Sequence, residues 1–365
     1  MTAQVDLNSF FSSGAILQLS PDLFKLITGP FKQVSLVDIQ THDQECVIYQ
    51  PHFWDFLTSR ASQAQGLQGT QNQTLSRQQL TELLSEGEAC KPQVAWQNVN
   101  SDSFKKQFQW SQLRFLEKKL SKTVPIISQA SHTQFTPSHL KWVMKFLLAQ
   151  NNVGWAYGFW QDGQGFFGQT PELVAEWDLK SENFQTSALA GTLQKNSENE
   201  ELILQDSKIL QEHQFVVDDI NENLKNYLPT EKIHISPVQV LKLKHMLHLK
   251  TDFKCTEINF GQALKLMLSL HPTAALGIYP RVENEMKTFC KMNLQSDRRQ
   301  FAAPFALIEK GQILCVAGIR NFFFSPSEIR LFSGCGVTAE STYESELEEL
   351  EIKRESVKRM MGFIE

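Results

Sequence analysis

The chain has no Cys-x-x-Cys pair: its six cysteines, at 46, 90, 255, 290, 315 and 335, are scattered, and Cys315 sits inside the apolar run ILCVAGI. That spacing speaks against a zinc site or a disulfide framework and for reduced, mostly buried thiols. Lysine and arginine form no block and the net charge is −5, so there is no nucleic-acid footprint. No stretch approaches the ~20 apolar residues of a membrane span. The N-terminal MTAQVDLNSFFSSG lacks the basic and apolar regions of a secretory leader. A soluble, cytoplasmic protein without membrane contact is the expectation. There is also no repeat of fixed period and no regular alternation of strand and helix patterns, which argues against a solenoid and against a Rossmann fold.

What is present is material for a core. Of 365 residues 41% are hydrophobic and 21% charged, and phenylalanine alone takes 26 positions, too many for a disordered chain. The first hundred residues carry short mixed segments and the Gln/Ser-rich tract SQAQGLQGTQNQTLSRQQL over 62–80, expected to be an exposed loop. From about 105 the pattern sharpens. KTVPIISQ and WAYGFWQ predict strands, and GQGFFGQTPELVAEWDL a turn and strand. Leu202, Ile209, Val216, Ile220 and Leu224 recur at helical spacing and predict a long helix over 199–228; Leu347, Leu350, Val357 and Met361 predict a second over 343–362. Further strands fall in PFALIEKGQILCVAGIRNF and EIRLFSGCGV. The mixture implies one α+β unit.

Several residue groups carry possible chemistry. Gly163, Gly165 and Gly168 spell GxGxxG, but Asp162-Gly163 looks like a hairpin turn and a strand pattern follows, so a dinucleotide site is not supported. His245 and His248 lack a third ligand at metal spacing and are better read as satisfied or exposed histidines. Glu212, followed by His213 and three apolar residues, and Glu349, flanked by leucines, stand beside apolar stripes. On the second helix Glu346, Glu349 and Lys353 align at i, i+3 and i+7. Carboxylates from two helices meeting at one place would repel unless a cation joined them, and oxygen ligands favour Mg²⁺. Gly334, in Gly-Cys-Gly after a strand, could offer backbone N–H groups to a carboxylate, and Arg320 could clamp it. LHPTAALGIYPR at 270–281 places small residues where a backbone approaches a ligand or another strand.

In order, SKTVPIIS, TPELV, ALAGT, KILQEHQFVVDDI, HPTAA, AGIR and SGCGVTAESTYESELEELEIK resemble the chorismate-utilising enzymes, from about residue 105 to the C-terminus. The resemblance implies the α+β fold of anthranilate synthase component I, two β-sheets packed together with flanking helices. Residues 105–365 would form the chorismate-binding catalytic region, and residues 1–104 the variable N-terminal part of the same unit. Within the family the likeness is closest to isochorismate synthase, because Lys122 falls at the general-base lysine and Ala275 at the alanine where anthranilate and salicylate synthases usually have threonine. It further implies Glu172 as general acid, Glu212 and Glu349 as Mg²⁺ ligands, and Lys353, Arg320 and Gly334 as a carboxylate grip. Gly191, with Thr192 beside it, would be a contact to the bound ligand.

The implied reaction is addition of water at C2 of chorismate with loss of the C4 hydroxyl, feeding menaquinone or siderophore synthesis. To accept a proton Lys122 would need a pKa well below ~10.4, and Glu172 one above ~4.3 to stay protonated. Val124, Pro125, Ile126 and Ile127 would provide dry surroundings for Lys122. No cofactor beyond Mg²⁺ and no obligate protein partner is implied, and a monomer is expected. The rival readings are salicylate formation, an ammonia-using synthase, or a chorismate-binding protein without turnover. Three places depart from the family pattern: Ile127 stands where an arginine is usual, Ile278 where a glycine is usual, with Gly277 one residue earlier, and FAAPFALIEKG lacks the tryptophan of the usual Gly-Trp.

Overall fold

The computed structural model describes residues 6–36, 46–57, 65–150, 153–194, 202–242, 246–309 and 311–365. Two antiparallel sheets form its centre. The first holds β1 (Ser13–Ser20), β2 (Leu23–Thr28), β6 (Gln71–Ser76), β7 (Ile126–Ser131), β8 (Trp155–Gln161), β9 (Gln164–Thr170), β17 (Asn321–Phe324) and β18 (Ile329–Gly334), in the order β6-β2-β1-β8-β9-β17-β18-β7. The second holds β3 (Lys32–Ser35), β4 (Val47–Tyr49), β5 (Gln65–Gln68), β10 (Leu173–Asp178), β11 (Asn183–Gln194), β12 (Ile233–Ile235), β13 (Gln239–Lys242), β14 (Met246–Cys255), β15 (Pro304–Glu309) and β16 (Gln312–Ala317). Its order is β12-β14-β11-β10-β16-β15-β4-β5-β3, with β13 also on β14. Strands from the N-terminal and C-terminal parts share both sheets.

The sheets are covered on both faces, and the strand sequences show it. In β1, Ala15 and Leu17 point into the layer between the sheets, where they meet Ile27, Tyr157 and Phe166 of the first sheet and Ile48, Phe305, Leu307 and Val316 of the second. Ile16, between them, points the other way, toward helices. Both neighbours of each polar backbone are therefore apolar, and the strand lacks simple alternation. Helices α1 (Leu7–Ser12), α2 (Arg77–Ser85), α4 (Pro137–Leu148) and the C-terminal α8 (Tyr343–Met360) cover the first sheet through Phe10, Leu80, Val143 and Val357. Helices α5 (Ser207–Lys225) and α6 (Phe260–Leu270) cover the second through Val216, Ile220, Leu264 and Met267. Helix α3 (Asp102–Leu116) and the short α7 (Glu283–Cys290) close a third cluster through Phe104, Phe108 and Phe289.

Two expectations need correction. The tract at 62–80 is not a loop where it is described: it supplies β5, β6 and the start of α2, whose Ser76 and Gln79 make a capping box. The helix expected over 199–228 begins only at Ser207, because Asp206 accepts a hydrogen bond from the Ile209 N–H at 3.0 Å and caps it there. Leu202 lies outside the helix and is half exposed. The other elements stand close to their predicted places, with WAYGFWQ matching β8, while PFALIEKGQILCVAGIRNF divides into β15, β16 and the start of β17. Asp162 and Gly163 both have positive φ, +53° and +74°, in the two-residue turn between β8 and β9. The GxGxxG glycines thus belong to a hairpin.

Candidate active site

A cavity opens at the seam between the sheets. Glu172, Gly191, Thr192, Glu212, Ala275, Arg320, Gly334 and Lys353 all contribute to its wall. Lys122 and Glu349 stand immediately behind, held by ion pairs to wall residues: Lys122 Nζ is 3.5 Å from Glu212, and Lys353 Nζ is 2.6 Å from Glu349. Residues spread over more than 230 positions of sequence thus meet at one place.

Each is set by local structure. Lys122 precedes β7 and pairs with Tyr279 in an isolated antiparallel bridge (N–H to Tyr279 carbonyl 3.1 Å, Tyr279 N–H to Lys122 carbonyl 2.9 Å). Its side chain is 1% exposed, and Nζ donates to the Ala274 carbonyl at 2.8 Å. Val124, Ile126 and Ile127 around it are buried. Gly336 lets Lys122 and Glu212 approach: a Cβ there would stand 1.9 Å from Glu212 Oε1 and 2.9 Å from Lys122 Cε. Helix α5 carries Glu212, and the next residue fixes the helix to the second sheet, because His213 Nδ1 donates to the Ala190 carbonyl at 3.2 Å and Nε2 accepts from Thr251 at 2.9 Å. Burial pushes the His213 pKa down to about 4, so it bonds as a neutral ring. Gly191 sits at a bulge in β11 with φ +77°, where a side chain would strike Ile209 at 2.7 Å.

The titrations follow from burial and charge. Glu172 lies between β9 and β10, 6% exposed; burial pushes its pKa up to about 7, against the pull of Lys122, Lys353 and Arg320. Glu212 is raised by burial, opposed by Lys122 and reinforced by Glu349 and Glu346. Arg320 has an αL backbone (φ +53°), and burial lowers its pKa to about 10, with Glu172 acting in the other direction. Its Nη2 is 2.9 Å from His248 Nε2. A guanidinium can only donate, so His248 Nε2 accepts, and Nδ1–H donates to Thr192 Oγ1 at 3.1 Å. Burial, with Arg320 and Lys353, holds the His248 pKa well below its usual range, consistent with that neutral tautomer. His248, expected from the sequence to be a satisfied or exposed histidine, is buried with both ring nitrogens bonded and stands in the cavity wall; only its tertiary partners distinguish it. His245 lies outside the described residues.

The loop carrying Ala275 is pinned from several sides. The Ala274 N–H donates to Asp219 at 2.8 Å, and Arg281 grips the same carboxylate at 2.7 and 3.0 Å while donating to the Ser269 carbonyl at 2.9 Å. Gly277 packs on Pro272, where a Cβ would lie 3.1 Å from the ring. Ile278 is 1% exposed and belongs to the same buried cluster as Ile127, with Val337 and Leu350. The two unusual isoleucines therefore answer each other as core.

For a metal, the donors are carboxylates. Glu212 lines the cavity, Glu349 stands behind its wall on Lys353, and Glu346, 2% exposed, shares one oxygen with Lys208 at 3.0 Å while Oε2 has no hydrogen-bond partner. An orphaned buried carboxylate oxygen among mutually repelling acids fits a hard divalent cation. No group of three His, Cys, Asp or Glu side chains among the described residues is gathered tightly enough to hold an ion alone. Lysines pair with the acids instead.

This fold and this gathering of lysine, glutamates and arginine define a class: the chain belongs to the chorismate-binding enzyme family, whose pattern matches residues 33–362. Isochorismate synthase MenF of Bacillus subtilis is 28% identical over 278 residues, covering 74% of this chain and 57% of that protein. Menaquinone-specific isochorismate synthase MenF of Escherichia coli superposes with a TM-score of 0.77 at 18% identity, covering 98% of this chain and 92% of that one. Anthranilate synthase component I of Streptococcus pneumoniae superposes with a TM-score of 0.71 at 12% identity over 98% and 94%. The α+β two-sheet fold expected from the resemblance is thus the one observed. The chain spans about half the length of the curated relatives it matches, 57% of the Bacillus subtilis MenF and 42% of the salicylate biosynthesis isochorismate synthase of Pseudomonas aeruginosa. No helix among the described residues is long and apolar enough to cross a membrane.

Proposed function

We propose that the chain converts chorismate to isochorismate, with Mg²⁺ held by Glu212 and Glu349, in menaquinone or siderophore synthesis. One observation carries the reading: Lys122 Nζ donates to the carbonyl of Ala274, the residue before Ala275, so the proposed base and the small residue that leaves room for water are joined by one 2.8 Å contact. Buried Glu172 shares the cavity with its pKa raised to about 7, so it holds a proton near neutrality.

Lys122 in its neutral amine form takes a proton from the water that attacks C2, and protonated Glu172 gives one to the C4 oxygen as it leaves; one water enters and one departs. Arg320 and Lys353 bind carboxylate, and Thr192, whose oxygen is already acceptor for His248, retains its own proton to donate. Bound Mg²⁺ would supply positive charge to a substrate carboxylate. The Tyr279 bridge and the Ala274 carbonyl hold Lys122 in one place, and such fixed placement of a base against its substrate lowers the barrier.

The test is product analysis. Purified protein with chorismate and Mg²⁺, with and without ammonium, should yield isochorismate alone; salicylate, an amino product or no turnover would each select a rival. Ile127 and Ile278 give the non-catalytic reading no support, since both are accommodated in the core.

A further inference from the structure

Lys122 is matched by Glu212, Lys353 by Glu349 and Lys208 by Glu346. Among the described residues, two cations of the cavity wall make no ion pair. Arg320 faces a neutral histidine. Arg298, 1% exposed, donates from Nε to the Phe301 carbonyl at 3.1 Å, from Nη1 to Gln295 Oε1 at 3.0 Å and from Nη2 to the Leu276 carbonyl at a long 3.5 Å. All three acceptors are neutral, and its guanidinium lies 3.4 Å over the Phe53 ring. It makes no ion pair among the described residues. Burial holds its pKa well below the usual guanidinium range.

A guanidinium removed from water is ordinarily paired, because hydrogen bonds to neutral oxygens and a ring face return only part of its hydration. Three of its five N–H donors are used. The wall thus carries two guanidinium groups that make no ion pair among the described residues, and both touch the same cavity. We propose that Arg298 is a substrate-binding residue, the second of two unpaired cations that together select a doubly charged ring dicarboxylate over a monocarboxylate. The inference rests on the chorismate reading but goes beyond it, because the resemblance assigns nothing to Arg298.

The surroundings explain how so costly a charge is kept in place. Phe53 N–H donates to the Arg299 carbonyl at 2.7 Å, its carbonyl accepts from His271 at 2.7 Å, and Trp54 Nε1 donates to the Gln295 carbonyl at 3.0 Å. The N-terminal segment therefore clamps the Ala275 loop and the 295–301 loop to each other, with Arg298 between them.

Calorimetry without added metal would compare isophthalate, a ring dicarboxylate, with benzoate, in parallel with chorismate KM in Mg²⁺. Two variants remove the unpaired charge by different routes: Arg298→Gln deletes it, and Gln295→Glu gives it an internal counter-ion. Both should weaken isophthalate and chorismate by about tenfold or more while leaving benzoate within about threefold, and Arg298→Lys should recover part of the loss. Thermal melts establish that each variant is folded; Gln295→Glu also loses the amide's hydrogen bonds to Gln107 Oε1 and the Val124 carbonyl, so where neither it nor Arg298→Gln folds, a loss on isophthalate against benzoate in Arg298→Lys decides alone. Unchanged isophthalate binding in Gln295→Glu, equal losses for both probes, or a lysine variant no better than glutamine would overturn the proposal. Wild-type protein that binds isophthalate through Arg298 but neither binds nor converts chorismate would refute the chorismate reading and leave this one standing.

Discussion

At the scale of single residues, the site works by holding groups in protonation states that water would not allow. Glu172 is the sharpest case: its pKa of about 7 comes from burial, resisted by three nearby cations. In the proposed role of general acid it would be competent below that value and lose its proton above it. Hence kcat/KM for chorismate should fall as pH rises through about 7, and Glu172→Gln should lower kcat by about 10²–10⁴-fold while chorismate still binds; a pH–rate profile indifferent between 6 and 8 would contradict the role. Ala275→Thr places a hydroxyl and a methyl beside the Ala274 carbonyl that holds Lys122. It should erode isochorismate formation, and chromatography showing an unchanged product profile would remove Ala275 from the mechanism. How much of this was legible in the sequence depends on the kind of partner. Glu349 and Lys353 are four apart on one helix, and their pairing follows from helical spacing. His248 meets Thr192 across 56 residues and Arg320 across 72, and nothing local to it signals either contact.

At the scale of elements, turns and helix ends were readable wherever their chemistry is local. Asp162-Gly163 supplies the two positive-φ positions of its hairpin, and Thr342 caps α8, which carries Glu344 and Glu346 in its first turn and Lys358 and Arg359 in its last. Strand β6 was missed because it runs at the edge of its sheet with mostly exposed or half-buried side chains, so QNQTLS shows no apolar period; its ladder is set by β2. The same dependence on neighbours governs Gly336, an ordinary loop glycine in sequence. Adding one methyl group there drives into Glu212 at 1.9 Å, so the carboxylate must turn away from Lys122. Gly336→Ala should raise the Mg²⁺ concentration for half-maximal activity by about tenfold or more, since a displaced ligand loses charge-assisted contact, while the melting temperature changes little. A metal titration identical to wild type would show that Glu212 does not serve the ion.

At the scale of the whole molecule, the division between a variable N-terminal part and a catalytic part has no counterpart in the sheets. β1 lies between β2 and β8 in the first sheet, and β4 joins β15 in the second. Ala15, Leu17, Ile27 and Ile48 from the N-terminal part fill the layer in which Tyr157, Phe166 and Phe305 also pack, with ring centroids 5.4 Å apart for Tyr157–Phe305 and 5.8 Å for Phe166–Phe305. Phe53 from the same part lies under Arg298 in the cavity wall. Removing residues 1–104 would expose Tyr157, Phe166, Phe305, Leu307 and Val316 along that layer. At about 1.5–3 kcal/mol for each large apolar side chain uncovered, the loss is comparable with the 5–15 kcal/mol by which a whole domain is stable. It would also leave β8 and β15 with unpaired edges, which invite aggregation. A fragment comprising residues 105–365 should therefore fail to give a soluble, cooperatively melting protein, and calorimetry together with size-exclusion chromatography would show it. A fragment that melts in a single sharp transition and still binds chorismate would mean that the N-terminal strands decorate the catalytic part without holding it together.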